Sequence, residues 1–147
     1  MSKKPNSKVA INSLKKPKNV ESGDGFYNLP PAWSFAKIDV EHDTWGVSCN
    51  SECLVRLIEV FRDFERLGTW GDVFRLTNGR KDNTRNHTIG VSDIIPRAQK
   101  RLAELKMEDV DELCSLAFGG RPRIWGIMQD SVLRVIWIDI GHTIYPV

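Results

Sequence analysis

Two histidines, His87 and His142, and four arginines, Arg80, Arg85, Arg121 and Arg123, have the types and spacing that could do chemistry, with Lys81 and Tyr145 beside them. Imidazole titrates near neutral pH and can give or take a proton, and the planar guanidinium fork offers two directed hydrogen bonds to a phosphate. His142 and Tyr145 lie in Gly141-His-Thr-Ile-Tyr-Pro146, just past the apolar run 131–140. A rigid strand end holds a polar group in place while the following loop leaves it accessible. Arg121 and Arg123 open the preceding run, Arg121-Pro-Arg-Ile-Trp-Gly-Ile-Met128, and alternation along a strand puts both on one face. His87 closes a polar loop, 77–87, that also carries Arg80, Lys81 and Arg85. Each of these residues has a structural alternative. His142 would cap the strand end, Tyr145 would pack beside Pro146, the arginines would form surface ion pairs, and His87 would be a solvated loop residue. Asp139, bracketed by Ile138 and Ile140, either orients His142 or an arginine or makes a structural hydrogen bond at the strand end.

The elements that must position these groups are legible in the hydrophobic pattern. Runs at 112–118, 121–128 and 131–140 are rich in Val, Ile, Trp and Leu, and Gln129-Asp130 between the last two is a hairpin signal. Upstream, 33–40 alternates large apolar with small or polar residues, the period of a strand with one buried face, and 41–43 would be its turn. A helix is predicted from Ser51 to Leu67, capped by Asn50, stopped by Gly68 and carrying an apolar stripe of Leu54, Leu57, Ile58, Phe61, Phe64 and Leu67. Thr69-Trp-Gly-Asp72 reads as a capping box opening a short helix to about Leu76. A brief strand at 88–91 precedes a helix from Ile94 to about Lys106, capped by Ser92 or Asp93, with Pro96 in its first turn. The expected fold is α+β: an antiparallel sheet made of the N-terminal strand and a C-terminal three-stranded meander, with helices over one face. Most tryptophans should be buried, leaving Trp45 and Trp70, beside glycines, as the plausible exposed platforms.

At 147 residues the chain suits a single core, with a basic arm over 1–25 ahead of one domain over 26–147. The arm is too poor in large apolar groups to offset chain entropy and is expected to be disordered. It holds six lysines against Glu21 and Asp24, a charge of +4. The rest of the chain is therefore −2 within a formal total of +2. Such an arm can attract RNA or ribosomes through counterion release, or serve only to solubilise. No apolar run approaches the ~20 residues needed to cross a bilayer, and no apolar stretch follows the first lysines, so a cytoplasmic protein is the expectation. Cys49, Cys53 and Cys114 support neither a disulfide framework nor a zinc site and read as small buried thiols.

Three segments, Leu116-x-Phe-Gly-Gly-Arg-Pro-Arg-Ile-Trp-Gly-Ile, the short acidic turn, and Val135-Ile-Trp-Ile-Asp-Ile-Gly-His-x-x-Tyr, resemble the RelE/ParE toxin superfamily. The residue-level match runs from Ser115 to Tyr145, and the order of elements matches from about Trp33. That resemblance implies a RelE-like domain and the toxin of a toxin–antitoxin or phage or plasmid system, acting as a metal-independent endoribonuclease on messenger RNA. It places Arg123 at the scissile phosphate, His142 in proton transfer and Tyr145 against a base, and His87 could supply a second proton-transfer group if its loop folds over the sheet. Arg121, Arg85, Arg80 and Lys81 would bind the RNA backbone. RNA or the ribosome and an antitoxin are the implied partners, with no cofactor and no metal. The alternative is a noncatalytic protein of the same fold that blocks a protein partner or forms an oligomer, and the acidic balance of the core suits it. A departure is the length of 70–106, which exceeds the helical hairpin of the simplest members.

Overall fold

The computed structural model describes residues 24–46, 51–76 and 85–146. Most of the basic arm, Cys49, the Asn50 cap, Arg80 and Lys81 lie outside them. The elements in chain order are α1 (Asp24–Tyr27), β1 (Trp33–Ser34), α2 (Ser51–Leu67), α3 (Trp70–Phe74), β2 (His87–Gly90), a 3-10 turn (Val91–Asp93), α4 (Pro96–Glu104), β3 (Glu112–Ala117), β4 (Arg123–Gln129) and β5 (Val132–Asp139).

The fold is α+β around one five-stranded sheet of order β1-β5-β4-β3-β2. The last four pair antiparallel, but β1 runs parallel to β5, with Trp33 opposite Leu133 and Ser34 opposite Arg134. The sheet is therefore mixed, not purely antiparallel as expected. Parallel neighbours need a long crossover, and everything between 35 and 131 supplies it. The strand expected over 33–40 shortens to two residues because local bonds turn the chain away. Ser34 Oγ accepts from the Ala36 amide (3.2 Å) and the Phe35 carbonyl from the Ile38 amide (3.2 Å). The chain then rejoins the outer edge of β5, where the Asp39 amide donates to the Ile136 carbonyl (2.9 Å) and the Ile138 amide to the Trp45 carbonyl (3.2 Å).

The hairpin between β4 and β5 turns at Asp130 and Ser131, whose φ values of +55° and +64° are those of a two-residue turn matched to strand twist. Further along the same pair, a bulge leaves Ile136 unpaired between Val135 and Trp137. A Cβ on Gly126 there would fall 2.5 Å from the Arg134 carbonyl oxygen, so only glycine lets the strands approach.

Helices cover both faces of the sheet, a correction to the one-sided arrangement expected. On one face Leu57, Phe61 and Phe64 of α2, with Trp70, Val73 and Phe74 of α3, pack over Cys114, Leu116, Ile124, Leu133, Val135 and Ile138. On the other, Ile94 and the α4 residues Ala98 and Leu102, with Trp45 and Ile144, pack over Leu113, Trp125, Ile136 and Trp137. Trp45 and Trp70 are fully buried, not platforms, because the indole of each lies within a cluster and donates a hydrogen bond. The α2 stripe is narrower than its spacing suggests. Leu54 and Ile58 are 49% and 59% exposed, and only Leu57, Phe61 and Phe64 are buried.

Helix ends follow local chemistry. Thr69 Oγ1 caps α3 by accepting from the Asp72 amide (3.2 Å), while the Asp72 carboxylate pairs with Arg75 and does not close the box. α4 begins at Pro96 with no side-chain cap, later than the Ser92 or Asp93 expected. α1 is a single turn, and its Phe26 packs edge-on against Phe74. Burial pushes the Cys114 thiol up to about 12, leaving it inert. Cys53, expected as a plain thiol, is disulfide-bonded.

A polar rivet fastens the α4 face. The Asp39 carboxylate, 3% exposed, accepts from Arg101 Nε (2.9 Å) and Nη2 (2.8 Å) and from Trp137 Nε1 (3.0 Å). The Arg101 fork holds that carboxyl well below the usual carboxylate range.

Candidate functional site

Strand register gathers the chemistry at one end of the α4 face. His87 on β2 lies opposite Ser115 on β3, and Ser115 lies opposite Trp125 on β4. One step toward the sheet end, Arg123 stands between Ala117 on β3 and Asp139 on β5. Directly paired residues and residues two apart share a face, so His87, Ser115, Ala117, Arg123 and Asp139 are all on the side of Trp125 and Trp137. The small side chains of Ser115 and Ala117 form a low floor between His87 and Arg123. Sequence reasoning passed over that floor because small residues carry no chemical signal of their own.

The turn after β5 brings His142 to the same end. It has a left-handed backbone, φ +57°, and its amide donates to the Asp139 carbonyl (3.4 Å). Arg121 Nη2 donates to the Gly141 carbonyl (3.2 Å), tying the β3–β4 loop to this turn. Arg123 Nη1 donates to the carbonyls of Gly120 (2.9 Å) and Pro122 (3.3 Å), which fixes one side of the guanidinium fork. Gly119 and Gly120, with φ of +76° and +97°, make the loop that presents the first of those carbonyls.

The electrostatics reflect the crowding. Burial lowers the pKa of His87, and the Arg123 charge lowers it further. His142 is lowered by burial and by Arg123, Arg121 and His87, with the Asp139 carboxylate acting against them. Arg123 is itself lowered by burial, opposed by Asp139. Each group feels Arg123 or is Arg123, so the cluster is one electrostatic unit centred on that guanidinium. Both imidazoles are held neutral at neutral pH, and an anion arriving among them would raise both.

The structure thus brings together His87, Arg121, Arg123 and His142. Arg85 is exposed, two residues before His87 on the approach to β2. Tyr145 is half-buried and packs against the apolar cluster of the α4 face, where the Ile144 carbonyl accepts from the Ile95 amide (3.0 Å). His42 is taken up in structure. Its Nδ1 accepts from the amides of Thr44 (3.0 Å) and Trp45 (3.1 Å), and its ring stacks on Trp45 at 4.3 Å. Asp139 is more engaged than a bare sequence position suggests, since its carboxylate accepts from the amides of Thr143 and Ile144 and from Thr143 Oγ1. Among the described residues no three His, Cys, Asp or Glu side chains are grouped to hold a metal ion, and no helix is long and apolar enough to cross a membrane. No family model, curated protein or solved structure matches the chain.

Proposed function

We propose that this end of the sheet binds and cleaves an RNA phosphodiester, and that the protein is an endoribonuclease acting on messenger RNA as the toxin of a toxin–antitoxin or related system. The observation that carries the reading is the convergence of two histidines and Arg123, from β2, β4 and the turn after β5, on one end of a face with small residues between them. The similarity of 115–145 to the RelE/ParE superfamily supports it from the sequence side.

The chemistry follows from the electrostatics. The RNA 2′-hydroxyl loses its proton to a neutral imidazole and attacks the adjacent phosphorus. The P–O5′ bond breaks, a 2′,3′-cyclic phosphate forms, and the departing 5′ oxygen takes a proton from a protonated imidazole. Burial and the Arg123 charge both push the proton off His87, which suits the base. At His142 the Asp139 carboxylate opposes that push, which suits the acid once a phosphate anion sits between them. Arg123, held through Nη1 by the Gly120 and Pro122 carbonyls, stabilises the charge that develops on the nonbridging oxygens. Arg121 and Arg85 would meet the flanking phosphates.

The test is expression from a tightly repressed promoter, comparing growth and transcript ends with an Arg123→Ala/His142→Ala variant shown to be folded. Growth arrest with new RNA ends that vanish in the variant supports the nuclease. Arrest without cleavage supports the second reading, a noncatalytic protein that blocks a protein partner. The specific observation in favour of that second reading is the exposed apolar row Leu54, Val55 and Ile58 on α2.

A further inference from the structure

A non-glycine residue in the left-handed region costs of order 1 kcal/mol and persists only where its surroundings over-determine it. His142 is such a residue, at φ +57°, and it belongs to the histidine–arginine cluster. The groups that hold it are on either side of it in the chain. Asp139, 1% exposed, uses both carboxylate oxygens on the residues that follow. The Thr143 amide reaches Oδ1 at 3.0 Å and Oδ2 at 2.9 Å, the Thr143 hydroxyl reaches Oδ1 at 3.1 Å, and the Ile144 amide reaches Oδ2 at 2.9 Å. Thr143 Oγ1 in turn accepts from Trp45 Nε1 at 2.9 Å, and Trp45 is fully buried and bonded through its carbonyl to the Ile138 amide. The chain from 139 to 144 is therefore closed by a carboxylate at one end and tied to the core at the other, with His142 between the two fastenings.

We propose that Asp139 is a positioning residue, whose carboxylate, with the Thr143 hydroxyl and the Trp45 indole, clamps the 139–144 turn in the left-handed form that sets the His142 imidazole beside Arg123. A strand-end cap alone would need one bond to one amide. Here four contacts fall on a single carboxylate that also lies opposite Arg123 in the β4–β5 register, so the same group shapes the turn and, among the described residues, supplies the negative charge acting on His142. The groups facing that imidazole are Arg123 from β4, Arg121 from the β3–β4 loop, His87 from β2 and Asp139 from β5.

The proposal rests on the nuclease reading only for its activity arm. The experiment is an NMR titration of the histidine side chains in the full chain, wild type against Asp139→Asn, with RNA-cleavage pH profiles on the same samples. In Asp139→Asn the His142 midpoint should move down, since the carboxylate that opposes the cations is gone, while His87 moves less. In cleavage, kcat should fall at least tenfold with little change in KM, and the limb of the profile set by the proton donor should move to lower pH. A folded Asp139→Asn protein whose His142 midpoint stays in place would overturn the proposal and leave Asp139 as a strand-end cap. Should Asp139→Asn fail to fold, Thr143→Val and Thr143→Ser read the same clamp. Serine keeps the hydroxyl and should behave as wild type, valine should shift His142 and lose activity, and equal behaviour of the two would sink the idea. A wild-type protein that cleaves no RNA defeats the proposed function, and the titration still decides the clamp.

Discussion

Under α2 and α3 the strands present a largely apolar surface, from Leu116 and Ile124 to Ile138. On the opposite face the same strands present Leu113, Trp125 and Trp137 beneath α4 and then change, within one pleat, to Ala117, Arg123 and Asp139. The lengths of the covering helices account for the contrast. Seventeen residues of α2 span roughly 25 Å and nine of α4 roughly 13 Å, against roughly 27 Å for the eight residues of β5. α2 is thus about as long as the strands, whereas α4 is about half their length. Polar groups occupy the rest of the α4 face, with His87, Arg123 and His142 half-buried and Ser115 and Asp139 buried. The covered face is maintained by dispersion and hydrophobic burial, and the half-open face by directed bonds, the Asp39–Arg101 rivet under the roof and the Asp139 turn beyond it.

The strongest way to break this comparison is to remove both imidazoles. His87→Ala/His142→Ala should cut RNA cleavage by about 10⁴-fold, while its melting temperature stays near that of the wild type. A variant that melts normally and still cleaves would show that the open end is not where the chemistry occurs. Next in size is the rivet. Asp39→Asn leaves the Arg101 guanidinium without its charge partner, and guanidinium denaturation should report a loss of about 3–5 kcal/mol. A loss under about 1 kcal/mol would mean that the α4 face depends on burial as the other does.

Phe64→Ala, in the fully roofed face, should cost roughly 3–4 kcal/mol of stability and leave kcat of the folded fraction unchanged. A parallel fall in kcat would show the two faces to be mechanically joined. The pH dependence of stability separates them again. Because the folded-state pKa values of His87 and His142 lie below their ordinary 6.5, the unfolded chain binds more protons just below that pH, and stability should fall as pH drops through this window. Asp39 has a depressed folded pKa, so its contribution is present above the ordinary 3.8 and is lost as pH falls below it. The double histidine variant should lose only the upper step, and calorimetry across pH would reveal a retained upper step as someone else's titration. Smallest of all, Ile58→Ser on the exposed row of α2 should change stability by no more than about 0.5 kcal/mol, and a larger loss would place that row in an interface.

Most of the elements could be read in advance. β3, β4 and β5 follow from runs of branched and aromatic residues, and the hairpin from its acidic turn. α2 follows from its spacing and the Gly68 stop, and α3 from Thr69. Misreadings came where two readings of one pattern were equally good locally. Residues 33–40 alternate as a strand does, yet Ser34 and Phe35 satisfy amides that a longer strand would have offered to β5. Leu54 and Ile58 fit a helical stripe, but they are left about half exposed. Tyr145 and His142 are three residues apart and looked alike as candidates, until the turn at 139–144 sent one to the α4 cluster and the other to the sheet end.

The amino-acid sequence by itself determined most of the strands and helices and which side chains have the acidity or charge to act on a phosphate, because both are largely properties of single residues and their near neighbours. Only the tertiary structure decided that His87 and His142, 55 positions apart, feel the same guanidinium. It also decided that β1 runs parallel to β5 and that Ser115 and Ala117 leave room between the charged groups. Those facts depend on strand register and on the length of α4 relative to the strands it covers, and neither is encoded at any one position.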